Sequence, residues 1–178
     1  GYSPAQRTPE SVIAKAKTSE TWAFAVVPAH TIFDQAITVV VSDSYAVFSL
    51  VQSGVHEVWA RGSGAGSRMK TDLRYSPTMF VTFPSPVSQS MEHLEKPGRS
   101  FAEARRGVML QRGLGFTSVE HSLSYATEVS EDIRQLRRHI IEIDNAVAAA
   151  YGCSDHDLGH GFHKTMHGAR YTIDETAR

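Results

Sequence analysis

The residues whose types and spacing could support metal chemistry are four histidines near the C-terminus. They are His156, His160, His163 and His167. Gaps of four, three and four residues would align them on one face of a helix, where imidazoles can hold zinc. Glycines between them weaken such a helix, and no cysteine or carboxylate motif completes the set. A solvated surface segment is therefore the favoured interpretation, and no metal ligand is assigned.

Signatures of catalytic sites are also incomplete along the chain. His56 and Glu57 begin like the zinc-protease helix motif, but Ala60 stands where its second histidine would be. The glycines at 62, 64 and 66 lack the spacing of a dinucleotide or phosphate loop. Neither a nucleophile elbow nor a paired Cys/His arrangement is present, so the sequence predicts no catalytic residue.

A basic segment over residues 61–75 offers chemistry of another kind. Its cations are Arg61, Arg68, Lys70 and Arg74, and its neutral hydrogen-bonding residues include Ser67 and Tyr75. Such groups bind phosphate oxygens, and arginine can also read guanine in the major groove of DNA. The pattern is typical of a polyanion-binding loop, and an ordinary solvated loop is the alternative.

Charge is distributed unevenly, although the formal net charge is only −1 over 178 residues. Residues 61–112 contain nine Lys or Arg and four Asp or Glu, so a neutral total can hide a basic face. A uniformly basic nucleic-acid coat is excluded. The single cysteine, Cys153, fits a reducing compartment, and no apolar run reaches the length of a membrane span. We expect a cytoplasmic protein with no membrane partner.

Three strands are expected in the first half of the chain. Residues 22–27 and 36–41 are rich in aromatic and β-branched side chains. The second run is apolar on both faces, which predicts a central position in its sheet. Residues 78–83 alternate as a third strand between prolines.

A helix over 45–60 is expected to lead into the basic segment. Serines and an aspartate at 42–44 can cap its start. Trp59, Phe80 and Phe83 are expected to form the core that fixes the basic loop.

The second half of the chain predicts helices. A capping box from Ser100 to Glu103 opens a helix that should end near Gly113. The strongest helix follows, starting after Ser130, with an apolar seam spaced by three and four residues. The seam residues are Ile133, Leu136, Ile140, Ile143, Val147 and Ala150.

These elements predict an α+β fold: a small mixed β-sheet with a packed helix, then a helical hairpin and a polar C-terminal tail. Residues 1–87 would be the β-rich part and residues 88–152 the helical region. Residues 153–178 would be a polar segment, expected to be truncated within the start of another helix.

The order of short motifs along the chain resembles that of a known family. The motifs are Val51-Gln52-Ser53, Val55 to Arg61, Asp72 to Pro77, Phe80-x-Thr82-Phe83-Pro84, Gly113 to Thr117, Ala150-Tyr151-Gly152 and Arg170 to Ile173. Over roughly residues 22–178 they resemble the C-terminal part of large adenine-specific DNA methyltransferases of the type II restriction–modification and phage-exclusion kinds. In those proteins this region holds the target recognition domain and its junction with a helical region.

The resemblance implies that the chain binds double-stranded DNA and chooses the site at which a parent enzyme methylates adenine. It implies S-adenosylmethionine as the cofactor of that parent, and an N-terminal catalytic domain of the same polypeptide as a partner. The chain itself lacks the Asn/Asp-Pro-Pro-aromatic motif and a recognisable S-adenosylmethionine loop, so we expect no cofactor here. The parent could also be an endonuclease. The predicted DNA contacts are Arg61, Ser67, Arg68, Lys70, Arg74 and Tyr75, with Arg99, Arg105 and Arg106 as a phosphate-binding flank.

Two other functions stay open at this point. The seam over 133–150 could dock a partner helix, which would make the chain a protein-interaction module. The C-terminal histidines could instead belong to a small metalloprotein, which would bind zinc stoichiometrically.

Overall fold

The computed structural model describes residues 8–62, 68–69, 72–165 and 168–174. Its strands are β1 (Ser11–Ala16), β2 (Thr18–Ser19), β3 (Ala25–Pro28), β4 (Ile37–Val40), β5 (Arg68–Met69), β6 (Asp72–Arg74), β7 (Gly161–Thr165) and β8 (Gly168–Thr172). Its helices are α1 (Tyr45–Gln52), α2 (Gly54–Gly62), α3 (Pro77–Thr82), α4 (Ser88–Arg112), α5 (Phe116–Ser124) and α6 (Glu131–Ala150). The predicted α+β class is confirmed, but every strand pair in the described residues is antiparallel, not mixed.

The first sheet has the strand order β3-β1-β4. The sequence predicts β4 as a central strand, and this is wrong because β1 lies between β3 and β4. Val41 directly after β4 is 74% exposed, whereas Val12 and Ile13 of β1 are buried. The predicted strand at 22–27 is confirmed only from residue 25 onward, because Trp22 and Phe24 pack into the core before β3 begins.

The helix predicted over 45–60 is divided at Ser53 into α1 and α2. The backbone of Ser53 is extended, and its hydroxyl donates to the carbonyl of Leu50 at 2.9 Å. The amide of Gly54 donates to Asp144 Oδ1 of α6 at 2.7 Å. A carboxylate that accepts from the first amide of a helix stabilises the N-terminus of that helix. Asp144 of α6 therefore helps to fix the direction of α2.

Residues 78–83 form helix α3 in place of the predicted strand. Met79 is fully buried and Phe83 is 7% exposed, while Val81 between them is 76% exposed. Side chains two residues apart share a face in a strand, whereas side chains four apart share a face in a helix. Pro77 at the first helical position has the backbone angle that a helix start requires.

Helix α4 begins at residue 88, twelve residues before the predicted start, and runs through Pro97. Proline removes a helix hydrogen bond and normally costs about 3 kcal/mol inside a helix. Contacts with α1 offset this cost, because Ser49 Oγ donates to the carbonyl of Leu94 at 2.7 Å and Glu95 Oε2 accepts from the amide of Ala46 at 2.8 Å. The predicted end is confirmed by a left-handed glycine at 113.

Helix α6 agrees with its prediction, and its seam is covered by other parts of the chain. Ile133, Leu136, Ile143 and Val147 are at most 1% exposed and belong to the main core. The seam packs chiefly on α4, and α1 also contacts it. The proposed docking of a partner helix through this seam is therefore wrong, since the seam already packs on the chain's own helices.

The C-terminal segment contains a hairpin, β7–β8, which the sequence does not predict. Gly168 has a φ of 87°, a conformation that favours glycine, and its carbonyl accepts from the Thr165 hydroxyl at 2.8 Å. The expected helix start at 176–178 lies outside the described residues. None of the described helices is both long and apolar enough to span a bilayer.

Candidate nucleic-acid interface

A cleft of about 710 Å³ lies where the two halves of the chain meet. One part of its lining comes from the connection before β3 and from α2, including Arg61 and Gly62. Most of the rest comes from α5, α6 and the β7–β8 hairpin. The basic segment leaves α2 at Gly62, so it begins at this cleft.

Arg61 is positioned by its own helix. Its guanidinium donates to Glu57 Oε1, one turn earlier, with Nε at 2.9 Å and Nη2 at 2.8 Å. Its side chain keeps 26% exposure. The pairing orients the arginine at the edge of the cleft and leaves part of it accessible to a ligand.

The far end of the basic segment returns through a second antiparallel sheet of order β2-β6-β5. Arg68 in β5 pairs with Leu73 of β6, and Arg74 pairs with Thr18 of β2. Arg74 is exposed. Ser67 and Lys70 lie outside the described residues, and their assignment stays a prediction.

Tyr75 is a correction to the predicted DNA contacts. Its side chain is fully buried, and its ring makes edge contacts with Trp22 and Phe24 at centroid distances of 5.5 and 5.3 Å. Desolvation raises the pKa of its phenol well above the usual range. Tyr75 is thus part of the core under the basic segment and cannot reach DNA.

His56 lies in the same aromatic cluster, stacked on Phe83 at 4.3 Å between ring centroids. Its Nδ1 lies 3.3 Å from the carbonyl of Val51. Burial lowers the pKa of His56 to about 4, so the ring is neutral at pH 7. Trp59 packs edge-on against Phe83 at 5.2 Å, which confirms both as core residues beside the segment.

Arg105 is the second correction to the predicted contacts, because it is only 4% exposed. Its Nη1 donates to Glu120 Oε1 at 2.7 Å and its Nη2 donates to the carbonyl of Phe24 at 2.6 Å. The guanidinium also lies 4.7 Å from the ring centroids of Phe101 and Phe116. This arginine joins the sheet region to the helices and is not available to phosphate.

The other two predicted flank residues are exposed on α4. Arg99 lies over the ring of Tyr45 at 4.5 Å and pairs with Glu95 at 3.2 Å. Arg106 is also exposed. Neither residue lines the cleft, and their role as a phosphate-binding flank stays a prediction.

Lys15 of β1 is a buried cation that the sequence does not single out. Its Nζ donates to the carbonyl of Thr21 at 3.0 Å and lies 5.2 Å from the ring of Trp22. Burial lowers the pKa of Lys15 to about 8, with an opposing contribution from Glu57. The sequence of a strand does not show whether a lysine in it faces the core or the solvent. The burial of Lys15 is therefore seen only in the structure.

The described C-terminal histidines, His156, His160 and His163, do not share a helix. His160 Nε2 lies 2.9 Å from Asp144 Oδ2, and His163 Nε2 lies 2.7 Å from the carbonyl of Gly159. Among the described residues there is no cluster of histidines, cysteines and carboxylates that could hold a metal. His167 lies outside those residues. Desolvation raises the pKa of Asp144, against the opposing contribution of its hydrogen bond with His160.

Two cations of the cleft are not among the predicted DNA contacts, namely Lys164 of β7 and Arg170 of β8. Arg170 lies over Tyr125 at 4.5 Å and its Nη2 is 3.6 Å from Glu20 Oε2. Lys164 is exposed. The residues between the two strands, Met166 and His167, are not a typical hairpin turn pair, so Gly168 is the one turn signal that the sequence offers here.

Comparison with known proteins supports the interpretation of the first half. Residues 3–87 match the family model described as the MmeI target recognition domain. The predicted resemblance to the target recognition region of type II restriction–modification methyltransferases is confirmed over these residues. No curated protein and no solved structure gives a significant match. The resemblance predicted for residues 88–178 lies outside the match and stays a prediction.

Proposed function

We propose that this chain recognises a specific DNA sequence on behalf of an S-adenosylmethionine-dependent adenine methyltransferase of a restriction–modification or phage-defence system. The observation that carries the proposal is the match of residues 3–87 to a target recognition domain. That range contains the whole basic segment over 61–75. It also contains the aromatic cluster beneath the segment and one side of the cleft.

The geometry suits recognition because the segment is anchored at both ends. On one side, α2 is fixed by the contact of Gly54 with Asp144. On the other, β6 pairs with β2, and the amide of Tyr75 then donates to the carbonyl of Lys17 at 2.6 Å. A rigid scaffold that fixes both ends of a binding segment lowers the conformational entropy that is lost on binding.

The cations divide into two roles in this proposal. Exposed Arg74 and the lysine at 70 would contact phosphates, which sets affinity and register but carries no sequence information. Arg61 and Arg68 would be the candidates for reading guanine, because a planar guanidinium can bind its two acceptors at once. Ser67 would add a neutral hydrogen bond.

Methyl transfer itself would be performed by a catalytic domain on the same polypeptide, N-terminal to these residues. When bound there, S-adenosylmethionine supplies the methyl group for the exocyclic amine of an adenine turned out of the duplex. The residues of this chain do not fit that cofactor. They lack the family's cofactor and adenine-holding motifs, and the cleft carboxylates Glu57 and Asp144 are engaged by Arg61 and by His160. The proposal implies a cytoplasmic protein, because the DNA it would bind is there.

Selection from a random duplex library tests this function. The chain would be incubated with duplexes that contain a randomised central stretch, and the bound fraction would be amplified and sequenced over several rounds. We expect the wild type to enrich a short consensus sequence. Arg61→Ala and Arg68→Ala should each lose the base preference at one position of that consensus, whereas Arg74→Ala should leave the consensus unchanged. Duplex binding without any enriched sequence would contradict specific recognition. Methyl transfer by the chain alone would contradict the proposal that a separate domain performs catalysis.

A further inference from the structure

The β7–β8 hairpin lies outside the residues that match the target recognition domain, yet it lines the same cleft as Arg61 and Gly62. Strand β8 of the hairpin contacts α5, and the aromatic residues of the hairpin lie near an arginine of α6. Arg137 of α6 lies 4.9 Å from the ring centroid of Phe162 and 5.4 Å from that of Tyr171. These contacts hold the hairpin in place beside the cleft, so a charge on it has a defined position.

The acids that line the cleft are each engaged by a partner. Glu57 pairs with Arg61, and Glu20 lies 3.6 Å from Arg170. Glu120 pairs with buried Arg105. Asp144 accepts from Gly54 and contacts His160. Their charges are therefore largely compensated before any ligand binds.

Lys164 differs from the other cations of the cleft. Arg61 and Arg170 both have carboxylate partners, whereas the side chain of Lys164 makes no ion pair or hydrogen bond with another described residue. It is exposed, and it pairs with Ala169 one position from the turn of the hairpin. An exposed ammonium with no acceptor among the described residues, fixed on a short hairpin at the edge of a cleft, is suited to an anionic ligand.

We propose that Lys164 binds a phosphate of the DNA backbone, so that the duplex runs across the cleft between the β7–β8 hairpin and the end of α2 at Arg61 and Gly62. This inference rests on the proposed function, and it extends the DNA-binding surface into residues beyond the target recognition domain. A backbone contact is the chemistry that fits, because an ammonium is a point charge that neutralises phosphate without reading a base.

Measurement of duplex affinity as a function of salt tests the inference. Each phosphate that a cation neutralises contributes about 0.9 to the slope of log affinity against log salt for B-form DNA. We expect Lys164→Ala to lower the slope by about one, and to weaken binding about 3- to 10-fold for all duplex sequences alike. Lys164→Arg should retain the wild-type slope, because it keeps the charge.

Arg134→Ala is the matched control, since it removes one exposed cation from α6 that does not line the cleft. Its slope should equal that of the wild type, and the thermal unfolding of both variants should be unchanged. If Lys164→Ala binds like Arg134→Ala while the wild type binds duplex DNA, the inference about the hairpin is wrong and the proposed function survives. If the wild type binds no duplex at any salt concentration, both are wrong.

Discussion

The guanidinium of Arg105 in α4 and the carboxylate of Glu120 in α5 form an ion pair of 2.7 Å in which both side chains are at most 6% exposed. The same guanidinium donates to the carbonyl of Phe24 just before β3. One buried side chain thus connects the sheet region with two helices. A buried charge is tolerated only when it is paired and hydrogen-bonded, so the packing of the two halves depends on this contact.

Removing Arg105 alone should strongly destabilise the protein. Arg105→Ala leaves Glu120 buried without its partner, and we expect the free energy of unfolding to fall by about 3–5 kcal/mol. Urea denaturation of the purified variant measures this change. Arg105→Met combined with Glu120→Leu should cost much less, because it removes both charges and keeps the volume. A double variant as unstable as the single one would contradict this account of the pair.

The crossing of α1 and α4 should depend on the absence of a side chain at Gly98. A Cβ there would lie 2.3 Å from the carbonyl oxygen of Tyr45 and 2.5 Å from Ser49 Oγ. We expect Gly98→Ala to lower the free energy of unfolding by about 2 kcal/mol or more, because two helices must move apart.

Gly107 in the same helix provides the matched control for Gly98. A Cβ at Gly107 meets no atom within 4 Å, so Gly107→Ala should stabilise the helix by about 0.5–1 kcal/mol through its propensity alone. Thermal or urea unfolding of both variants distinguishes them. Equal effects of the two substitutions would mean that α1 and α4 do not approach as closely as described.

His56 should make the stability of the protein depend on pH. Its folded pKa of about 4 lies below the ordinary value of 6.5, mainly because of burial. Above pH 6.5 the ring is neutral in both states. As the pH falls from 6.5 to 4, only the unfolded state takes up the proton, so stability falls across this window by about 3 kcal/mol.

Replacing His56 with phenylalanine should flatten that part of the pH profile. The carbonyl of Val51 would keep its bond from Trp22 Nε1 at 3.0 Å, and a phenyl ring can still stack on Phe83. The measurement is the midpoint of urea unfolding between pH 4 and 7 for both proteins. A variant with the same pH dependence as the wild type would exclude His56 as the titrating group.

The sequence predicted well those elements whose signals are local. Helix α6 was predicted from its apolar seam and from the glycine after its end, and β4 was predicted from its β-branched residues. Both elements form where expected. Helix α4 also ends at Gly113 as predicted, because a left-handed glycine stops a helix whatever packs around it.

The errors arose where tertiary contacts outweigh local signals. The capping box predicts a helix start at Ser100, but contacts of Ser49 and Glu95 between α1 and α4 stabilise a helix that begins at residue 88 and runs through Pro97. Apolar and polar residues alternate over 78–83 with the period of a strand. The buried side chains, Met79 and Phe83, are instead four residues apart, as in a helix. Arg105 and Tyr75 looked like surface groups, because sequence spacing does not reveal which polar side chains a fold will bury.

The central claim is that the chain binds duplex DNA through the cations of the basic segment over 61–75. The salt dependence of duplex binding tests this claim most directly. The affinity of the chain for a duplex of about 25 base pairs would be measured between roughly 50 and 200 mM salt, where phosphate contacts dominate. We predict a linear fall of log affinity with log salt, and a slope that is smaller by about one for Lys70→Ala and for Arg74→Ala. Absence of duplex binding, or slopes that both substitutions leave unchanged, would contradict the account.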